Sequence, residues 1–221
     1  MTINLFETVR GLGTPMPASV MQIGASHGQE MRMFLENGIR SGIFVEPLTA
    51  PFNDLAGTCK QLPGFVAVNA LCSDTAGETF DFHVATNSGM SSSILKPTGH
   101  IDMFGHVQFN ETTRLTSTTV DDIMTFLSGN GHEAVTRQID TLYMDAQGAE
   151  YRILLGSIKT LKQINYIYTE LLRGDLYEGM QPLSVYCSFL ETQGFTLNNI
   201  NYNARHHADA LFVRKSIVGL K

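Results

Sequence analysis

The 221 residues carry 21 acidic and 15 basic side chains, for a formal net charge of −6 and a pI near 5.6, and 43% of them are hydrophobic. That balance supplies apolar material for a substantial core and excludes a disordered chain, while the excess of acid argues against bare nucleic acid as a partner, because phosphate binding needs a basic face that displaces counterions. The longest apolar runs, such as RILLGSI and SGIFVEPL, are far too short to cross a bilayer, and the first residues lack the basic and apolar regions of a secretory signal, so the chain reads as one soluble, cytoplasmic domain over residues 1–221.

In chain order, INLFETVR predicts a short amphipathic helix and GLGTPMPAS a loop, which together make residues 1–18 a lead-in. Val20 to Ile23 reads as a strand, and HGQEMRMFLENG as a helix, with Met31, Phe34 and Leu35 at helical spacing before Gly38. GIFVEP predicts a second strand closed by Pro47, APFNDLAGTCKQL a helix, and GFVAVNALC a third strand. Strands alternating with helices imply a parallel sheet with right-handed crossovers. GETFDFHVAT then alternates as an exposed strand does, and the Ser-, Gly-, His- and Asn-rich stretch that follows makes residues 86–118 a lid or acceptor-site insertion. TRLTSTTVDDIMTFL predicts a strand running into a capped helix, QIDTLYMD a fourth parallel strand, GAEYRILLGSIKTL a helix, INYIYTELL a strand and PLSVYCSFLETQG a helix ending at Gly194. FTLNNINYN and DALFVRK predict an antiparallel hairpin at the C-terminal end.

In an open parallel sheet a ligand sits beyond the carboxyl ends of the strands. The residues there are Gly24 to Gly28, Glu46, Ser73 with Asp74, Asp145 and Glu170. Glu46 lies 22 residues beyond Gly24, a spacing that brings an acid to the ribose hydroxyls of a nucleoside bound over the first turn. The turn itself, Gly24-Ala25-Ser26-His27-Gly28, lacks the third glycine of a dinucleotide fingerprint, and the chain has no triphosphate loop, so a phosphate-free adenosine derivative fits best.

The segments VMQIGASHGQEMRMFLENG, IFVEP, NALCSDTAGETFDFHV, MSSSI, TSTTVDDI and IDTLYMDAQGAEYRILLGSI run in an order and spacing that resemble the FkbM-type S-adenosylmethionine-dependent methyltransferases, over about residues 18 to 198. IDTLYMDAQGAE is the most specific piece. The resemblance implies an α/β, Rossmann-like class I methyltransferase fold: a seven-stranded, mostly parallel sheet with helices on both faces and a reversed last strand. It implies that Gly24, Ala25, Ser26, Gly28, Glu46 and Pro47 hold the amino-acid and ribose parts of S-adenosylmethionine, that Ser73 and Asp74 approach the adenine, and that Asp145 closes the site beside the methyl group. The implied activity is O-methylation of a hydroxyl on a small molecule or saccharide. Three residues depart from the family's usual pattern: Gln22 in place of an acid, Tyr143 in place of lysine and Gln147 in place of glutamate. The alternative they raise is a module of the same fold that binds cofactor without turnover.

Methyl transfer to an alcohol needs alignment and a base. Asp145 and Glu170 are the catalytic candidates, Asp145 also as a partner for the cofactor's ammonium; a divalent cation between them is chemically possible but not favoured. His100 and His106 in the insertion read as surface histidines, with contact to the acceptor or its deprotonation as the alternative; His206 and His207 in the terminal hairpin read as solvated, and His27 as a source of a backbone amide only. MSSSI reads equally as a cover for the cofactor or a flexible loop. Cys59, Cys72 and Cys187 have no metal-like spacing and read as buried thiols. Glu150 is read as a first-turn helix acid with a structural role.

Overall fold

The computed structural model describes residues 4–172, 175–202 and 207–219. Its strands are β1 (Val20–Ile23), β2 (Gly42–Val45), β3 (Phe65–Val68), β4 (Leu71–Cys72), β5 (Thr79–Val84), β6 (Glu111–Thr118), β7 (Thr141–Met144), β8 (Tyr166–Leu172), β9 (Phe195–Tyr202) and β10 (His207–Arg214). The α-helices are α1 (Leu5–Leu12), α2 (Met31–Glu36), α3 (Thr49–Cys59), α4 (Gly99–Met103), α5 (Val120–Leu127), α6 (Glu133–Thr136), α7 (Glu150–Leu155) and α8 (Leu183–Thr192).

Seven strands form one sheet in the order β3-β2-β1-β7-β8-β10-β9. The first five are parallel, and β10 runs antiparallel between β8 and β9. The expected Rossmann-like sheet and its C-terminal antiparallel pair are therefore present. Every residue of β1 and β2 is buried, as parallel strands covered on both faces must be. The period of two sorts their side chains between two cores. Met21, Ile23, Leu142 and Met144 pack with α5, α7 and α8, whereas Val20, Phe44 and Leu211 pack with α1, α2 and α3 on the other face.

Local chemistry sets the helix ends. Asn4 caps α1 by accepting from the Glu7 amide at 3.2 Å, and Thr119 caps α5 by accepting from the Asp122 amide at 3.0 Å. Helix α7 stops at Leu155 rather than running through IKTL; Gly156 leaves helical geometry at φ −80° and ψ 7°, and a Cβ there would come within 2.2 Å of the Ser73 carbonyl oxygen.

One expectation needs correction. The run from Phe65 to Cys72 is two strands, not one: β3 stays in the main sheet, while β4 pairs in parallel with β6 in a separate three-stranded sheet that β5 completes in antiparallel register. The break falls at Asn69, whose Nδ2 donates to the carbonyls of Glu46 and Pro47 at 2.8 and 3.0 Å and so holds the chain against the end of β2. Residues 111–118 form β6, the strand read from TRLTSTT, within the stretch read as a lid or acceptor-site insertion. The intervening stretch contains α4 and is tied down by bridges between His83 and Ser93 and between Pro97 and Tyr177. The hairpin turn at 203–206, and with it His206, lies outside the described residues.

The sheet's order reverses at β1, with β2 on one side and β7 on the other, which opens a crevice beyond their carboxyl ends. Phe34 of α2 anchors the helix layer beneath it, fully buried, with its ring 5.5 Å from Tyr143, 5.9 Å from Phe44 and 6.3 Å from Phe6. Replacing Phe34 by Ala is expected to cost about 3–5 kcal/mol in urea unfolding; a loss below about 1 kcal/mol would contradict this packing.

Candidate active site

Parallel register aligns Ile23 with Val45 on one side and Met144 on the other, so the turns that follow these three residues converge. Gly24 turns with φ +79°, and a Cβ there would stand 1.8 Å from the carbonyl oxygen of Asp145. Only glycine fits. The amides of Gly24 and Ala25 both donate to the Val45 carbonyl at 3.0 Å. Ser26 follows at φ +46°, a region non-glycine residues seldom occupy, and its amide donates to Oε2 of Glu46 at 2.8 Å. Oε1 of the same carboxylate accepts from the Leu48 amide at 2.8 Å. Glu46 thereby ties the first turn to the second, and its pKa is raised by burial against the opposing pull of these two donors.

Above this frame lies a cavity of about 280 Å³, near the lower end of the range for ligand sites. Gly24, Ser26, Glu30, Glu46, Asp145 and Gln147 form its polar side, and Leu71, Cys72, Phe82, Ile94 and Ile153 its apolar side. Pro47 and, from the MSSSI segment, Met90, Ser92 and Ile94 also line it. Ser92 and Ser93 are buried, with Ser93 Oγ donating to the Gln147 carbonyl at 2.8 Å, so that segment folds over the cavity as an ordered wall.

Of the residues expected to hold a cofactor, the structure brings Gly24, Ser26, Glu46, Pro47 and Asp145 to this cavity. Ala25 is fully buried, and Gly28 stands behind the turn against Leu55. Ser73 and Asp74 also lie outside its lining: Ser73 Oγ donates to Asp74 Oδ1 at 2.8 Å, and that carboxylate takes Arg152 at 2.9 Å. Their place is filled by Leu71 and Cys72, and by Phe82 from the small sheet.

Asp145 is half-buried at the cavity wall, and desolvation followed by the nearby charge of Glu170 drives its pKa well above the usual carboxylate range. The Gln147 side-chain amide bridges the two, donating to Asp145 Oδ1 at 2.8 Å and Glu170 Oε2 at 2.9 Å. Its backbone is held at φ +51°. Glu170 does not line the cavity but reaches it through Gln147. His207 completes the row, its Nδ1 3.0 Å from Glu170 Oε1, which raises the imidazole pKa.

His207 is thus not the solvated residue expected: β10 starts there and faces it toward Glu170. His100 is not at the surface either. It is 3% exposed and packed against Phe104, Phe109 and Tyr177 with ring centroids 4.9, 5.3 and 5.4 Å away, and burial lowers its pKa. His106 is exposed, and His27 pairs with Asp54 at 2.8 Å on the surface. Among the described residues no three His, Cys, Asp or Glu side chains are grouped to hold a metal ion, and no helix is long and apolar enough to cross a membrane.

Glu150 opens α7, fully enclosed, with Oε1 accepting from the Ala146 and Gly148 amides at 2.8 and 3.3 Å and Oε2 without a partner. Burial pushes its pKa up to about 7 from a usual value near 4.5. Between those values the native protein keeps a proton on Glu150 that the unfolded chain has released, so this group's contribution to stability falls as pH rises through the window. Relative to wild type, Glu150→Gln is expected to gain about 2–3 kcal/mol in urea unfolding between about pH 5 and about pH 8. A pH-independent difference would contradict the assignment.

A family model described as the methyltransferase FkbM domain matches residues 22–197. The 2-O-methyltransferase NoeI of Sinorhizobium fredii is 29% identical over 187 residues, which span 80% of this chain and 72% of that one. Among solved structures, the methyltransferase FkbM from Methylobacillus flagellatus aligns over 88% of this chain and 43% of its own, with a TM-score of 0.53 and 11% identity. A putative tRNA methyltransferase from Streptococcus pneumoniae, in complex with S-adenosyl-L-methionine, aligns over 97% and 73%, with a TM-score of 0.50 and 12% identity. The two structures share the fold, and the family match runs from the middle of β1 into β9. The chain belongs to the FkbM methyltransferase family.

Proposed function

We propose that the protein transfers the methyl group of S-adenosylmethionine to a hydroxyl oxygen of a small molecule or saccharide. The observation that carries this reading is the junction of Gly24, Glu46 and Asp145 around one cavity with an apolar side. The residues fit the cofactor. The Gly24 turn presents its backbone at the cavity wall. Each Glu46 oxygen accepts one backbone amide and retains a lone pair for a ribose hydroxyl. Leu71, Cys72, Phe82 and Ile153 offer an apolar slot of the kind an adenine enters. The NoeI relative, an O-methyltransferase by name, supports oxygen as the atom methylated.

When bound, the cofactor supplies an electrophilic methyl carbon on a sulfonium leaving group. The chain's own work is to orient the acceptor, exclude water and take up a proton. Asp145, with its pKa raised by burial, is fitted to receive the proton an acceptor hydroxyl loses. Gln147 holds Asp145 and Glu170 in fixed relation, and His207 adds a further proton-binding group behind them.

Two measurements test the reading. Protein incubated with methyl-labelled S-adenosylmethionine and a fractionated cell extract is expected to deposit label in the small-molecule or saccharide fraction as an alkali-stable ether. Label confined to RNA or protein, or none despite cofactor binding, would contradict it. Glu46→Ala is expected to weaken S-adenosylhomocysteine binding roughly ten- to hundredfold by titration calorimetry, the scale of losing charge-assisted hydrogen bonds. Unchanged affinity would remove Glu46 from the site.

A further inference from the structure

We infer that Glu30 is the partner of the cofactor's cationic α-amino group and that Gln22 holds it in place, an inference that rests on the cofactor reading above. Three carboxylates line the cavity: Glu30, Glu46 and Asp145. Glu46 is occupied by two backbone amides, and Asp145 stands beside Glu170 with one oxygen taken by the Gln147 amide. Glu30 differs from both. It is half-buried at the entry to α2, makes no capping bond to that helix, and has one oxygen held by Gln22 Nε2 at 2.9 Å.

Gln22 lies in the middle of β1 and is 1% exposed, between Phe44 and Tyr143 in the parallel register. A side-chain amide is expensive to enclose in a sheet. Its Nε2 has to face Glu30, since the opposite orientation would set oxygen against oxygen, and this leaves Oε1 buried with no partner. The arrangement therefore sacrifices one hydrogen bond inside the sheet to fix a carboxylate at the cavity wall. A glutamate at position 22 would meet Glu30 carboxylate to carboxylate and force the two to share a proton. Among the described residues no Lys, Arg or His forms an ion pair with Glu30; the nearby Arg32 pairs with Glu36 at 2.7 Å. A positioned carboxylate with no cation from the protein, on the polar side formed by the turn after β1, suits an ammonium brought by the ligand.

Two ligands separate this role from general support of the cavity: S-adenosylhomocysteine carries the amino-acid part, and methylthioadenosine keeps the base and ribose but lacks it. Wild type, Glu30→Gln and Glu30→Ala are titrated with each by calorimetry. Both variants are expected to lose about tenfold or more in affinity for S-adenosylhomocysteine and less than about twofold for methylthioadenosine. Equal losses for the two ligands, or no loss for either, would overturn the role of Glu30 while leaving the cofactor reading intact. If wild type bound neither ligand, the cofactor reading would fall, and this inference with it.

Discussion

The contact on which the site depends is the approach of the first turn to the last: Gly24 lies so close to the Asp145 carbonyl that no side chain fits between them. Parallel register brings β1, β2 and β7 to the same level, so the three turns beyond them meet. A larger residue at 24 would part β1 from β7 or twist the turn away. The glycine thus closes the sheet's end tightly, its missing Cβ giving room to the Asp145 carbonyl. Glu46 then locks the arrangement from the β2 side with a carboxylate that accepts from both neighbouring loops.

Around that frame the protein concentrates polar groups that oppose folding. Glu150 is enclosed and Asp145 half-buried, Gln22 and Glu150 each keep a buried oxygen without a partner, and Ser26 and Gln147 occupy left-handed backbone. Such features persist where surrounding structure over-determines them, and they gather at functional sites. Here the two cores on either face of the sheet supply that surrounding structure. The polar row from Asp145 through Gln147 and Glu170 to His207 is stabilised by hydrogen bonds at each link. Burial and the nearby charge of Glu170 raise the pKa of Asp145, so its carboxylate holds a proton more strongly than an exposed aspartate does.

Most of the fold was legible in the sequence because parallel strands and amphipathic helices write their burial directly into hydrophobic period. The turn at Gly24 and the acid at Glu46 were legible for the same reason: each ends an apolar run, and strand ends point to one edge. What escaped notice depended on distant partners. Asp74 turns to Arg152, 78 residues away, and no local pattern announces that pair. Phe82 reaches the cavity from a sheet built by pairing β5 with β6, two segments whose polar alternation resembles solvent-facing strands. His100 and His207 were read as surface residues because nothing beside them in sequence announces a partner, whereas their neighbours in space are aromatic rings and Glu170. Gln22 looked like a lost charge, yet it donates to Glu30, a residue that helical periodicity alone would assign to an exposed first turn.

The most direct test of this account is a crystal structure of the protein grown with S-adenosylhomocysteine. The account predicts density for the nucleoside between the Gly24 turn and Leu71, Cys72 and Phe82, with the ribose hydroxyls on Glu46 and the sulfur facing Asp145. Ligand bound elsewhere, or a cavity filled by the protein's own side chains in the presence of saturating ligand, would contradict it.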